Sequence, residues 1–377
     1  MKMGIDARFL GPKTGGGGIG RYVAELTKHL QELPFQNDVE LFLKQANFHE
    51  CKITSPRFHK TMADMHWYGV KEQLLMPDII KQSGVRLMHY PHWNVPIFSK
   101  VPFIVTVHDL ILLDHKRSAR TSTQSQLIHG IKYAMFRLVL EHAIYKSKAI
   151  ITVSEHAKER ILHYFNVPKE KITVIPNGLT KPVPAKAVRL SDHSIYAPYF
   201  LYAGNAYPHK NIELILKAFA LMQHQNPHVQ VVIAGKRDIF SMQLEKTARG
   251  LNIHPERLRF VDHPNDDLLA RLYQDAHAFL FPSLLEGFGI PPLEALQHGT
   301  PVIAANVRPM TDILKDAAHY VDPHDPKDLA SAMLAHLKDP SILARRLPFA
   351  DELFDRYTWQ NAAIATKEVY DRVLKTL

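Results

Sequence analysis

Three segments carry residue types that can handle a phosphate or a sugar. GPKTGGGGIGRY, residues 11–22, puts glycines ahead of a helical pattern with Val23, Leu26 and Leu30. Such a turn lets backbone N–H groups approach an anion at a helix start. Gly15, Gly17 and Gly20 satisfy G-x-G-x-x-G, but four consecutive glycines make that match cheap, and no clear acidic residue follows to hold a ribose. FLYAGNAYPHKN, residues 200–211, closes a strand and opens a helix near Asn211, with Lys210 beside its N-terminus. A lysine there is electrostatically unfavourable unless an anion joins it, so phosphate binding competes well with the alternative of an exposed lysine. In FPSLLEGFGIPPLEALQHGTPVIAA, residues 281–305, Gly287 and Gly289 make a tight loop and Pro291 or Pro292 fits the first helical turn. Glu286 then falls in the loop and Glu294 in the first turn, where the two carboxylates can accept hydroxyl hydrogens, or Glu294 can simply cap the helix.

The elements that must position these groups are read from alternation. β-rich runs at Met3–Ala7, Val39–Leu43, Val85–His89, Phe103–Val107, Ile150–Val153 and Ile172–Ile175 are separated by helical patterns, as in a parallel sheet with covering helices. Residues 180–198, TKPVPAKAVRLSDHSIYAP, have no sustained period and read as a linker. Alternation restarts at Tyr199–Ala203, Val229–Ala234, Leu258–Val261, Ala278–Phe281 and Val302–Ala305. The expectation is two similar α/β domains with a ligand cleft between them. A last helical pattern, residues 358–377, has Trp359, Ala363, Val369, Tyr370 and Val373 to bury, on either domain.

With 377 residues the chain is long enough for two cores, and its 46% hydrophobic and 22% charged content excludes a low-complexity or disordered function. No apolar run reaches a membrane span and MKMGIDARFL does not resemble a signal peptide, so a cytoplasmic protein is expected. Cys51 is the single cysteine, which rules out an internal disulfide and a multi-thiolate metal site. Residues 1–185 hold 25 Lys+Arg against 15 Asp+Glu, a net +10, whereas residues 186–377 hold 21 against 22, a net −1. A basic half suits an anionic partner or is merely a solvated surface. Ile128, Ile131, Met135 and Leu138 recur at helical spacing there, and either face the core or, with the basic residues, meet an anionic membrane. His89, His92 and His108 invite a metal, but 23 dispersed histidines make chance proximity the better reading, and no metal is expected. In MHYPHWNVP, residues 88–96, Trp93 either stacks on a sugar ring or belongs to the core.

PSLLEGFGIPPLEAL followed by GTPVIA, with seven residues between Glu286 and Glu294, resembles the retaining family 4 glycosyltransferases of GT-B fold. The resemblance extends over GIGRY, TVHDL, TVSEHAKE, IPNGL and AGNAYPHKN, hence nearly the whole chain, and DARFL with GGIGRYVAEL and GNAYPHKN is most similar to bacterial mannosyltransferases. It implies an α/β, GT-B fold of two Rossmann-like domains: an acceptor domain at 1–185, a nucleotide-sugar domain at 186–357, and a helix at 358–377 crossing back to the first. It further implies that Glu294 binds ribose hydroxyls, Glu286 the donor sugar, Lys210 the diphosphate, and backbone groups of Phe288, Gly289 and Ile290 the sugar and phosphates. His108 would reach the sugar, Gly17 or Gly18 the diphosphate, and Asp262 to Asn265 the base. Asn205 stands in the nucleotide site where many members have arginine, so Arg237 or Arg21 would supply a second diphosphate cation.

The implied reaction moves a hexose, best mannose from GDP-mannose with a UDP-sugar as the other donor, to a glycan or lipid-linked acceptor in α linkage. No cofactor is needed, nucleic acid is not a partner, and peripheral membrane contact follows if the acceptor is lipid-linked. Charge separation between sugar and diphosphate calls for fixed cations and N–H dipoles, which Lys210 and the glycine loop fit. No carboxylate suggests itself as a covalent nucleophile, and the resemblance favours same-face substitution. His108, Lys210 and Glu286 are the candidate catalytic residues. Other readings are a nucleotide-sugar epimerase, a phosphorylase, or a catalytically silent sugar-nucleotide-binding partner.

Overall fold

The computed structural model describes residues 1–11, 17–114, 126–182 and 188–377, without the side chains of 126–129 and 343. The chain forms two compact units, one of Met1–Leu110, Ser122–Thr180 and Tyr357–Leu377, the other of Ile111–Thr121 and Lys181–Arg356.

The first unit is built on a parallel sheet of β1 (Lys2–Asp6), β2 (Asp38–Leu43), β3 (Phe58–Met62), β4 (Leu87–Tyr90), β5 (Phe103–Val107), β6 (Ala149–Thr152) and β7 (Ile172–Val174). Their order is β3-β2-β1-β4-β5-β6-β7. The sequence direction of the sheet therefore reverses between β1 and β4, the kind of switch point beside which open parallel sheets take ligands. Strands β4, β5 and β6 are buried at every position, as continuous apolar runs in a sheet covered on both faces should be. β3, FHKTM, escapes the apolar-run criterion because it is an edge strand with mixed exposure. The helix Trp359–Leu374, capped by Thr358 Oγ1 on the Asn361 N–H, buries Trp359, Ala363, Val369, Tyr370 and Val373 in the core shared with Met3, Val23 and Leu26. Leu179 and Thr358 form a parallel bridge that ties this helix's start to the end of the first unit's sheet region.

The second unit repeats the scheme with β8 (Tyr199–Ala203), β9 (Gln230–Gly235), β10 (Leu258–Asp262), β11 (Ala278–Phe281), β12 (Val302–Ala305) and β13 (Ala318–Val321), ordered β10-β9-β8-β11-β12-β13. Its reversal falls between β8 and β11. β13, AHYV, is the other strand that sequence reading overlooked, again a short edge with half-buried His319 and Tyr320.

The helix Gln126–Lys146 decides between the two readings of its apolar positions: Ile131, Met135 and Leu138 are exposed and not turned to the core, while Val139, Leu140, Ala143 and Ile144 are buried. The side chain of Ile128 lies outside the described residues. No helix among the described residues is long and apolar enough to cross a membrane.

Candidate functional site

The reversal point of the second sheet collects most of the phosphate- and sugar-directed residues. After β8 the chain passes Gly204 and Asn205 and makes a 3-10 turn, Pro208–Lys210, before the helix Ile212–Met222. Asn211 joins turn to helix at φ +57°, a left-handed conformation that asparagine tolerates, and its Nδ2 donates to the carbonyls of Pro282 (3.2 Å) and Pro323 (2.8 Å). Leu284 N–H donates to the His209 carbonyl (2.8 Å), so the loops after β8 and β11 are stitched together. Lys210 Nζ consequently meets Glu286 Oε1 at 2.6 Å, the lysine also lying 5.8 Å from the Phe281 ring centroid. The two groups assigned separately to diphosphate and sugar form one largely buried ion pair.

The acidic loop ends at Gly289, whose φ of +89° suits glycine and whose missing Cβ leaves room for Met310. Ile290–Gln297 is helical, with Pro291 and Pro292 in its first turn where an absent N–H loses nothing. With Pro291 and Pro292 lacking an N–H, the backbone donors this start can turn to an anion are those of Gly289 and Ile290. Glu294 is the fifth helical residue, one position past the expected first turn, and Tyr273 Oη donates toward its Oε2 at 3.5 Å. Glu294 therefore presents its carboxylate from the helix side, not as an N-cap. Burial, then the Glu286 charge, pushes the neighbouring Tyr202 phenol well above its ordinary pKa, and that phenol donates to the Asn205 carbonyl at 2.8 Å.

Beyond Gly204 a shallow pocket is lined by Gly235, Lys236, Arg237, Ser241, Glu245 and Asp262. Gly235 must be glycine, because a Cβ would fall 2.0 Å from the Gly204 carbonyl oxygen. Arg237 pairs with Glu245 at 3.1 Å, and its N–H donates to Asp262 Oδ1 at 2.8 Å. The Arg237 and His263 contacts hold the Asp262 carboxyl below its ordinary pKa. Asn265 spends its side chain capping the helix Asp266–Asp275 through the Leu268 N–H. This leaves backbone groups, Asp262 and the exposed His263 ring as the groups that loop can offer.

In the first unit Gly17 and Gly18 open the helix Gly17–Leu30, Gly17 at φ +62°, whereas Gly15 lies outside the described residues. Arg21, at the same helix start, is exposed. His108 follows β5 and its Nε2 donates to the Pro91 carbonyl at 2.9 Å, leaving Nδ1 as the acceptor. Burial lowers its pKa to about 4 despite that carbonyl, so the ring is neutral near neutrality. His89 uses both ring nitrogens, on Tyr370 Oη (2.6 Å) and Thr106 Oγ1 (2.9 Å), and has no lone pair left for a metal. Among the described residues no group of three His, Cys, Asp or Glu side chains is placed to hold a metal ion.

Sequence reading missed Tyr273, which reaches Glu294 from a separate helix, and the role of Asn211, whose side chain ties the Lys210 turn to the distant Pro282 and Pro323 carbonyls. It also missed a charged cluster at the first sheet's reversal: Arg8 bridges Asp6 (2.6 Å) and Glu72 (2.5 Å) with no exposure of its side chain. Asp and Arg directly after an apolar strand, in IDARF, were the available signal.

Comparison with known proteins agrees with this architecture. The family description Glyco_transf_4, Glycosyltransferase Family 4, matches residues 16–180, and Glycos_transf_1, Glycosyl transferases group 1, matches residues 194–348. The O-antigen chain mannosyltransferase RfbU of Salmonella typhimurium is 28% identical over 279 residues, 74% of this chain and 72% of that protein. Sucrose-phosphate synthase from Thermosynechococcus elongatus superposes with a TM-score of 0.76 at 19% identity over 100% of both chains. Anabaena HepE in complex with UDP-glucose does so with a TM-score of 0.74 at 14% identity over 98% of this chain and 99% of that one. With both parts of the chain matched, two Rossmann-like sheets in the neighbours' fold and acidic and cationic groups at a sheet reversal, the chain belongs to the family 4 glycosyltransferases of GT-B fold.

Proposed function

We propose that this glycosyltransferase is a retaining mannosyltransferase that moves mannose from GDP-mannose to a glycan or lipid-linked acceptor in α linkage. The observation that carries the reading is the Lys210–Glu286 pair at the reversal of the second sheet, beside the N-terminus of the helix Ile290–Gln297. The 28% identity to an O-antigen chain mannosyltransferase supports the choice of sugar.

In this reading the donor's diphosphate enters between Lys210 and the helix N-terminus, with Gly17 or Gly18 and Arg237 as further contacts. Glu294 accepts from the ribose hydroxyls, Glu286 from a sugar hydroxyl, and Asp262 and Asn265 flank the base through backbone groups and the Asp262 carboxylate. Phe288, Gly289 and Ile290 donate backbone N–H groups to sugar and phosphate, and Asn205 lies at the edge of the same site. As the bond from the anomeric carbon to the phosphate oxygen breaks, Lys210 balances charge growing on the leaving diphosphate. The acceptor hydroxyl oxygen bonds to the anomeric carbon on the same face, and its proton passes to the departing phosphate oxygen. Neutral His108 accepts a sugar hydroxyl at Nδ1 and orients the ring.

A cytoplasmic enzyme acting on lipid-linked glycans would touch the membrane. Exposed Ile131, Met135 and Leu138, with Lys132 and Arg137 on the same helix, support peripheral contact with anionic lipid. Mass spectrometry of products from GDP-mannose, UDP-glucose and other nucleotide sugars, alone and with mannosylated acceptors, tests the assignment. A new α-mannoside from GDP-mannose supports it; isomerised donor without transfer would mean an epimerase, and an unchanged donor a binding protein.

A further inference from the structure

The reversal of the first sheet, between β1 and β4, carries an aromatic ledge that the donor site does not use. Trp93, after β4, lies 5.4 Å from the Tyr68 ring, 4.6 Å from His92 and 4.8 Å from Phe136, centroid to centroid. Tyr68 stands in the left-handed region at φ +65°, which a bulky L residue rarely adopts, and is 52% exposed. Core packing does not explain an aromatic residue that is both strained and half in solvent. The backbone there is held from beneath. Tyr68 N–H donates to Glu72 Oε2 (2.8 Å), and Glu72 also accepts from Asn94 Nδ2 (2.8 and 2.9 Å) and Arg8 Nη2 (2.5 Å). Arg8 in turn is clamped by Asp6 at 2.8 and 2.6 Å. A buried ion cluster thus fixes the position of one exposed ring, the kind of over-determined strain that collects at ligand sites.

The chemistry beside the ring narrows the ligand. Burial first, then the charges of Glu72 and Asp109, raise the Tyr68 phenol above its ordinary pKa. That hydroxyl lies 3.4 Å from His92 Nδ1, and His92 feels His108. An apolar ring surface bordered by the neutral His92 imidazole and the Tyr68 hydroxyl suits a pyranose, whose C–H face stacks and whose hydroxyls donate and accept.

We propose that Tyr68 and Trp93 form a pyranose subsite for the acceptor glycan, positioned by the buried Arg8–Glu72–Asn94 cluster. The proposal rests on the glycosyltransferase reading and adds the residues and ligand class of its acceptor side. The test is ligand-observed saturation-transfer NMR on the full chain with α-1,2-mannobiose, maltose and, as an acyclic control, mannitol, in saturating GDP. Separate calorimetry measures GDP and UDP binding to the wild type. Saturable transfer to a disaccharide and none to mannitol is expected. Trp93→Ala and Tyr68→Gly each weaken the disaccharide by at least about tenfold, and Trp93→Phe restores most of the loss. Tyr68→Gly keeps the N–H bond to Glu72 and accepts positive φ, so it melts no lower than wild type and remains informative if Trp93→Ala does not fold. Equal affinity in folded Tyr68→Gly, or no disaccharide binding by a wild type that binds a nucleoside diphosphate, overturns the subsite alone. A wild type that binds neither GDP nor UDP overturns the proposed GDP-mannose transfer beneath it.

Discussion

Lys210 was conspicuous in the sequence because a cation at a helix start needs an anion, and Glu286 because it stands in a glycine loop. That they neutralise each other across 76 residues is a tertiary fact. The pairing has kinetic consequences. Lys210→Ala should lower turnover at saturating donor by at least about tenfold, the equivalent of roughly 1.4 kcal/mol of transition-state stabilisation. Glu286→Gln should impair transfer more than diphosphate binding. Because the two side chains touch, the double variant should lose less than the product of the single losses, and a strictly multiplicative loss would dissociate their roles. Glu294 accepts from the Tyr273 hydroxyl at the long distance of 3.5 Å, and a carboxylate has lone pairs enough to take ribose hydroxyls as well. Glu294→Ala should weaken nucleoside diphosphate binding by about 1 to 3 kcal/mol in calorimetry, and an unchanged affinity in a folded variant would remove the ribose role.

Elements were legible where burial imposed a period or an unbroken apolar run, as in FIVTV and AFLF, and illegible where the strand was an exposed edge, as in FHKTM. The C-terminal helix was legible as a helix because Trp359, Ala363, Val369 and Tyr370 share a face, yet that pattern alone suited either domain. Gly178 shows how closely its start is seated: an added Cβ would lie 2.2 Å from the Trp359 backbone nitrogen. Gly178→Ala should therefore destabilise the first unit by about 1 to 3 kcal/mol, seen as a lower urea midpoint at unchanged slope. Gly250, where an added methyl group would have nothing within 4 Å, is the control, and Gly250→Ala should leave the midpoint where it is or raise it.

Across the whole molecule, buried histidines link folding to pH. Burial, with a contribution from His108, lowers His89 and His92 to about 3 from the ordinary 6.5, and burial lowers His108 and His336 to about 4. Because the folded pKa values are depressed, the unfolded chain binds protons first: stability is fully present above pH 6.5 and declines as pH falls, to about 4 for His108 and His336 and to about 3 for His89 and His92. For buried His89 and His92 the slope approaches at most about 1.4 kcal/mol per pH unit each. Melting temperature should drop between pH 7 and pH 5, and a flat profile would mean that these rings protonate without cost in the fold. Two α/β sheets, the helix starts and the acidic loop are written in the chain locally, because hydrophobic period, glycine and capping chemistry are local properties. That Lys210 meets Glu286, that the last helix shares the first unit's core, and that Arg8 and Glu72 hold Tyr68 in place emerge with the folded arrangement alone. Those arrangements depend on strand order and on burial of charges brought together from distant positions, and no local pattern encodes which distant group will arrive.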